Sequence, residues 1–155
     1  MIDVVSPEVR SRMMSGIKGK NTRPEVLIRK LLFSRGWRYR LHYKGLPGKP
    51  DLVFPRLKAA VFINGCFWHV HHCHLFRMPS SRVEFWSGKL ERNRLRDAEV
   101  RDMLAELGWR HLTIWECALK GKMRLPIEEI ADRTSEWLLQ GVGSAEIEGM
   151  NSGTG

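Results

Sequence analysis

The alternation of apolar and polar positions divides the chain into helical and extended stretches. Leu27, Ile28, Leu31 and Leu32 recur at helical spacing. They lie between Thr22-Arg23-Pro24-Glu25, a capping box with proline near the first turn, and the stop residue Gly36. This predicts a helix from Arg23 to Ser34 or Arg35. The period then drops to two: Trp37, Tyr39 and Leu41 alternate with Arg38, Arg40 and His42, as in a strand with one polar face. Residues 44–50 are turn-rich, with two glycines and two prolines. Asp51 to Phe54 and Ala59 to Ile63 are short apolar runs on either side of Pro55, and they predict a buried hairpin. Ser81-Arg82-Val83-Glu84 forms a second capping box. An intermittent apolar face follows through Trp86, Leu90, Val100 and Leu104 to Gly108, weakened in its middle by Gly88 and Asn93. Trp109 to Trp115 is β-rich. Pro126 to Leu139 is amphipathic, with Ile127, Ile130, Trp137 and Leu138 facing inward.

Upstream of these elements, Ser6-Pro7-Glu8 starts a short helix reaching about Ser15, too short to be stable alone. At the other end, residues 141–155 are rich in glycine and serine with little to bury, which predicts a disordered tail. The element order is α-α-β-β-β-loop-α-β-α. It predicts an α/β domain with a mixed central sheet flanked by helices, over residues 21–140. At 155 residues a single core of useful size is expected.

Charge changes the picture. The net charge is +9, and all of it lies in residues 1–50, which hold 12 Lys/Arg against 3 Asp/Glu. Residues 51–155 hold 14 of each. A basic first third on a neutral body reads as a polyanion-binding arm over residues 1–20, with Arg10, Arg12, Lys18 and Lys20 available to clamp phosphates. Residues 1–20 lack the apolar region of a signal peptide, and no run approaches a membrane span, so a cytoplasmic protein without a membrane partner is expected. Three cysteines in such a chain point to thiols or a metal rather than a disulfide framework.

The chemistry concentrates between Phe62 and His74, where four of the six histidines and two of the three cysteines lie. Imidazole and thiolate together suggest a metal site. In an extended segment His71 and Cys73 point the same way, and Cys117 offers a second thiolate. The fourth ligand is open among Asp97, His72, His74 and Cys66. Asp51, at the start of the hairpin, is either a turn-capping carboxylate or a ligand for a hard Mg²⁺ ion. His69, just past the partner strand, suits a general base or electrostatic stabiliser. Glu25 reaches the same place or serves only its capping box. Phe67-Trp68 and Phe85-Trp86 cannot all face inward, and exposed aromatics beside cations suit base stacking.

These residues together resemble the very-short-patch mismatch repair endonucleases. The resemblance rests on Pro-Gly-Lys-Pro-Asp (47–51), on Gly-Cys-Phe-Trp-His (65–69) with His71 and Cys73, and on Glu-Leu-Gly-Trp-Arg (106–110) with Trp-Glu-Cys-Ala-Leu (115–119). It implies a restriction-endonuclease-like core and a Mg²⁺-dependent enzyme that nicks one strand of double-stranded DNA at T·G mismatches left by deamination of 5-methylcytosine. It further implies Mg²⁺ at Asp51 and the main-chain carbonyl of Ile63, with His69 as catalytic partner. A structural Zn²⁺ on His71, Cys73, Cys117 and Asp97 is implied as well. Phe67, Trp68 and Trp86 would intercalate from one groove and Met14 from the other. The chain carries Ile63 and Asn64 where well-known members have Thr and His, and it lacks the Glu-x-Lys of ordinary restriction-type nucleases. One nick needs one active site, so a monomer is expected. The alternatives are a non-catalytic zinc-stabilised nucleic-acid-binding protein and a nuclease for matched sites.

Overall fold

The structure, a computed structural model, describes residues 23–41 and 43–150. The predicted amino-terminal helix, with Arg10, Arg12, Met14, Lys18 and Lys20, lies outside the described residues, as does His42. Helix α1 spans Arg23–Ser34. Five strands follow the order β1 (Arg40–Leu41), β2 (Leu52–Phe54), β3 (Ala59–Asn64), β4 (Arg110–Trp115) and β5 (Ala145–Ile147) across one sheet. The first three are antiparallel, and β3, β4 and β5 are parallel, so the sheet is mixed as expected. Helix α2 (Val83–Glu106) makes the crossover from β3 to β4. Helices α3 (Glu116–Leu119) and α4 (Ile127–Gln140) connect β4 to β5.

The period-two pattern of the strands sorts their side chains into two layers. Leu52, Phe54, Val61, Leu112 and Ile114 face α1 and α4, where Ile28, Leu32, Ile130 and Leu138 complete the main core. Val53 and Ala60 face the other way, against Val100 and Leu104 of α2 and Leu46 of the preceding loop. That loop is pressed tightly onto α2: Gly48 has φ +80°, and a Cβ there would lie 2.6 Å from Val100. The close approach requires glycine and holds the loop leading to Asp51.

The sequence expectations fail in three places. The expected strand from Trp37 is only two residues long. The indole of Trp37 instead donates to Ser135 Oγ (3.0 Å), and the Tyr39 hydroxyl donates to the Arg29 carbonyl (2.7 Å), so both rings are drawn onto the helices. The second capping box does not form. Arg82, at φ 52°, begins α2 without a side-chain cap and lies over the Phe85 ring, 4.3 Å from its centroid. The carboxy-terminal segment is not a loose tail over its described residues, because its parallel strand β5 pairs with β4 through Leu112, Thr113 and Ile114. Backbone ladder bonds do not depend on side-chain hydrophobicity, which is why composition misread this stretch.

Gly88 and Asn93 do not interrupt α2, whose 24 residues extend for about 36 Å. Trp86, Leu90, Asn93, Asp97, Val100 and Leu104 fall on one stripe of this helix, at steps of three and four residues. The carboxy-terminal part of the stripe packs on the sheet. The amino-terminal part overhangs the histidine-rich loop.

Candidate active site and metal centre

Asp51 precedes β2 at the edge of a cleft of about 690 Å³ between the sheet and α2. One of its carboxylate oxygens, Oδ2, accepts a hydrogen bond from the Ile63 N–H at 2.6 Å. Glu25 of α1 lines the same cleft and is 2% exposed, with Arg29 one helical turn away at 3.5 Å. Burial, with the neighbouring Glu25 carboxylate, pushes the Asp51 carboxyl up to about 7 against the help of the Ile63 hydrogen bond. Two carboxylates withdrawn from water thus lie on the walls of one cleft. The donor set fits a hard divalent cation, which takes carboxylate, carbonyl and water oxygens.

Asp97, from α2, meets His69 Nδ1 at 2.6 Å. A carboxylate on Nδ1 fixes the ring and leaves proton exchange to Nε2. His69 lines the same cleft as Asp51 and Glu25. Asn93, one turn before Asp97, donates to the Trp68 carbonyl at 3.1 Å, so the helix holds the loop at two adjacent residues. Val70 lies between His69 and His71 at φ 53°. A β-branched residue there costs on the order of 1–2 kcal/mol. The turn sends the two flanking histidines to different destinations: His69 faces the cleft and His71 a second cluster.

That cluster comprises Cys66, His71, Cys73 and Cys117, whose donor atoms all lie within 4.8 Å of one another. A tetrahedral centre with metal–sulfur and metal–nitrogen bonds of about 2.3 and 2.1 Å has sulfur–nitrogen edges of about 3.6 Å. The Sγ atoms of Cys66 and Cys117 lie 3.6 and 3.7 Å from His71 Nδ1. The arrangement can hold a metal ion. Cys66 stands in this cluster and Asp97 does not; Asp97 meets His69 instead. Burial pushes the thiols of Cys66 and Cys117 up, which favours their protonated forms, and a bound ion would have to displace those protons. His72 and His74 are exposed and lie outside the cluster.

Phe67, Trp68 and Trp86 form one aromatic group, with ring centroids 5.1 to 5.9 Å apart. Each is half-buried, and Phe85 extends the group at 44% exposure. Phe67 and Trp68 also line the cleft, so they share its walls with Asp51 and His69. Several cleft residues carry no sequence signal, among them Arg96, Arg101 and His111, and Lys49 enters it from the Pro-Gly-Lys-Pro-Asp motif. Burial and the Arg101 charge push the His111 imidazole down. The α2 stripe was the available signal for Asp97, because it aligns that carboxylate with Trp86.

The family model described as DNA mismatch endonuclease Vsr matches residues 2–75. The chain is similar to the type II nicking enzyme V.XorIIP of Xanthomonas oryzae, with 46% identity over 134 residues, 85% of this chain and 98% of the relative. It is 40% identical over 148 residues to the DNA mismatch endonuclease Vsr of Escherichia coli, covering 96% of this chain and 95% of the relative. A type II nicking enzyme of Neisseria meningitidis, V.NmeAIP, is 43% identical over 122 residues, 79% of this chain and 87% of its own.

Proposed function

This chain belongs to the Vsr DNA mismatch endonuclease family and is an endonuclease that nicks DNA; from that premise we propose that it cuts one strand at T·G mismatches left by deamination of 5-methylcytosine, with Mg²⁺ as catalytic and Zn²⁺ as structural ion. The observation that supports this reading best is the placement of Asp51, Glu25 and the His69–Asp97 pair on the walls of one cleft lined also by Phe67 and Trp68.

Asp51 and the main-chain carbonyl of Ile63 would hold Mg²⁺, which when bound supplies Lewis-acid stabilisation of the charge that develops on the phosphate oxygens. His69 holds or passes a proton at Nε2, toward the attacking water or the departing oxygen, while Asp97 keeps its ring in place. Glu25 adds negative charge beside Asp51. The reaction leaves a 5′-phosphate and a nick that starts very short patch repair. Cys66, His71, Cys73 and Cys117 would hold Zn²⁺ as a closed, four-ligand centre that fixes the loop carrying His69. Phe67, Trp68 and Trp86 would fill the gap opened at the weakly stacked mismatch. Duplex DNA is the partner, and Lys49, Arg96 and Arg101 add positive charge beside the cleft.

Enzymatic family membership sets aside the non-catalytic binding protein. A nuclease for matched sites is separated from the proposed activity by comparing nicking of duplexes with and without the T·G pair, with and without Mg²⁺. Equal nicking of both duplexes would favour the matched-site enzyme.

A further inference from the structure

The carboxy-terminal segment makes three separate contacts with the cysteine–histidine cluster and its immediate surroundings. Glu148 Oε1 lies 3.1 Å from His71 Nε2, the nitrogen facing away from the thiols. The Gly149 N–H donates to Cys117 Sγ at 3.3 Å. Glu146 Oε1 accepts from the Trp115 indole at 2.6 Å, and that indole stacks on His71 with centroids 4.1 Å apart and planes 15° from parallel. The edge of the same indole meets His69, at 6.3 Å between centroids. The approach at residue 149 requires glycine, since a Cβ there would lie 2.5 Å from the Cys117 carbonyl oxygen and 2.7 Å from that of Met123.

We propose that residues 146–149 are the outer sphere of the metal centre, with Glu148 as the positioning residue that fixes His71. This rests on the metal reading given above. An ion on His71 Nδ1 would leave the ring proton on Nε2, from which Glu148 accepts a hydrogen bond; the carboxylate thereby fixes both the tautomer and the ring plane. The Gly149 amide stabilises the Cys117 thiolate that metal binding creates, as a donor to a charged acceptor. Glu146 locks Trp115 flat against a face of the His71 ring. Docking of β5 and metal loading therefore favour each other, and by linkage the coupling is reciprocal.

The test uses the full chain and its Glu148→Ala, Glu148→Gln and Gly149→Ala variants. Zn²⁺ affinity is measured by competition with a chromophoric chelator, and the coordination geometry by the absorption of Co²⁺. Backbone amide exchange over residues 145–150 is followed with zinc bound and removed. Outer-sphere substitutions weaken metal binding by about 10–100-fold. Glu148→Ala should fall near the lower end, because the Glu148 side chain is 57% exposed. Glu148→Gln should recover much of the loss through its amide oxygen, a rescue that loss of fold would not show. Gly149→Ala should weaken binding by lifting the segment from Cys117, and zinc removal should speed exchange over 145–150. Wild-type metal affinity in both Glu148→Ala and Gly149→Ala, with exchange indifferent to zinc, would overturn the outer-sphere role alone. Failure of the wild-type protein to take up Zn²⁺ or Co²⁺ would overturn the metal centre and this role together.

Discussion

His69 Nδ1 and Asp97 Oδ2 lie 2.6 Å apart, joining the histidine-rich loop to the middle of α2. The pair sets two roles for Asp97 against each other. A metal ligand would carry metal content with it when changed, whereas a residue that orients His69 would carry only the rate. Asp97→Asn is expected to lower nicking on the order of 10²-fold or more, comparable to loss of the general base itself. Bound zinc, measured by elemental analysis, should stay at the wild-type level. Loss of zinc in Asp97→Asn would return Asp97 to the metal centre.

The Asp51 carboxyl sits at about 7 against an ordinary 3.8, through burial and the nearby Glu25 charge. The sign follows directly. The folded state binds the proton more tightly than the unfolded chain, so this group favours folding below the unfolded value and loses that contribution as pH rises through about 7. Above that pH, without divalent ions, Asp51→Asn should be more stable than the wild type by a few kcal/mol in denaturant titrations. The same variant should be inactive, and added Mg²⁺ should narrow the stability gap by stabilising only the wild type. Equal stability of the two proteins at pH 8 without metal would remove the strained carboxylate from the account.

Cys66 stands in the cluster where the family resemblance implied Asp97. Cys66→Ser should reduce zinc content and lower the unfolding midpoint together, since binding of a structural ion is linked to folding. Because the buried thiols of Cys66 and Cys117 are pushed up, metal uptake should release protons and weaken in acid. Stoichiometric zinc in folded Cys66→Ser would exclude that thiol as a ligand.

Trp68 touches both Phe67 and Trp86, at 5.1 and 5.9 Å between centroids. Unstacking a base step costs a few kcal/mol, and least at a mismatch, so an aromatic wedge converts weak stacking into selectivity. Trp68→Ala should therefore reduce nicking of T·G duplexes much more than it reduces weak binding to matched DNA, as read by gel shift beside a nicking assay. Unchanged mismatch preference would assign the ring to packing.

Much of the fold was legible because period and caps act locally. α1 falls where Leu27, Ile28, Leu31 and Leu32 predict it, and the β2–β3 hairpin follows from two apolar runs around Pro55. The segment 141–150 was misread because Ala145–Ile147 is held by the β4 ladder and by contacts to distant side chains, which composition does not encode. The site residues were visible as chemical types, yet their partners were not. His69 and His71 are two residues apart, and only the left-handed turn at Val70 separates a cleft histidine from a cluster histidine. The Glu-Leu-Gly-Trp-Arg motif also proves to hold the fold in part. Arg110 donates to the carbonyls of Trp137, Leu138 and Gly141, capping the end of α4.

The most direct measurement is strand-specific cleavage of a panel of duplexes that differ only at one T·G pair and its neighbours, with Mg²⁺ present and absent. One nick is expected, on one strand, only at the T·G pair and only with Mg²⁺. Asp51→Asn and His69→Ala should abolish the nick while still retarding the duplex in a gel. Nicking of the matched duplexes at the same rate, or undiminished nicking by Asp51→Asn, would contradict the proposed activity.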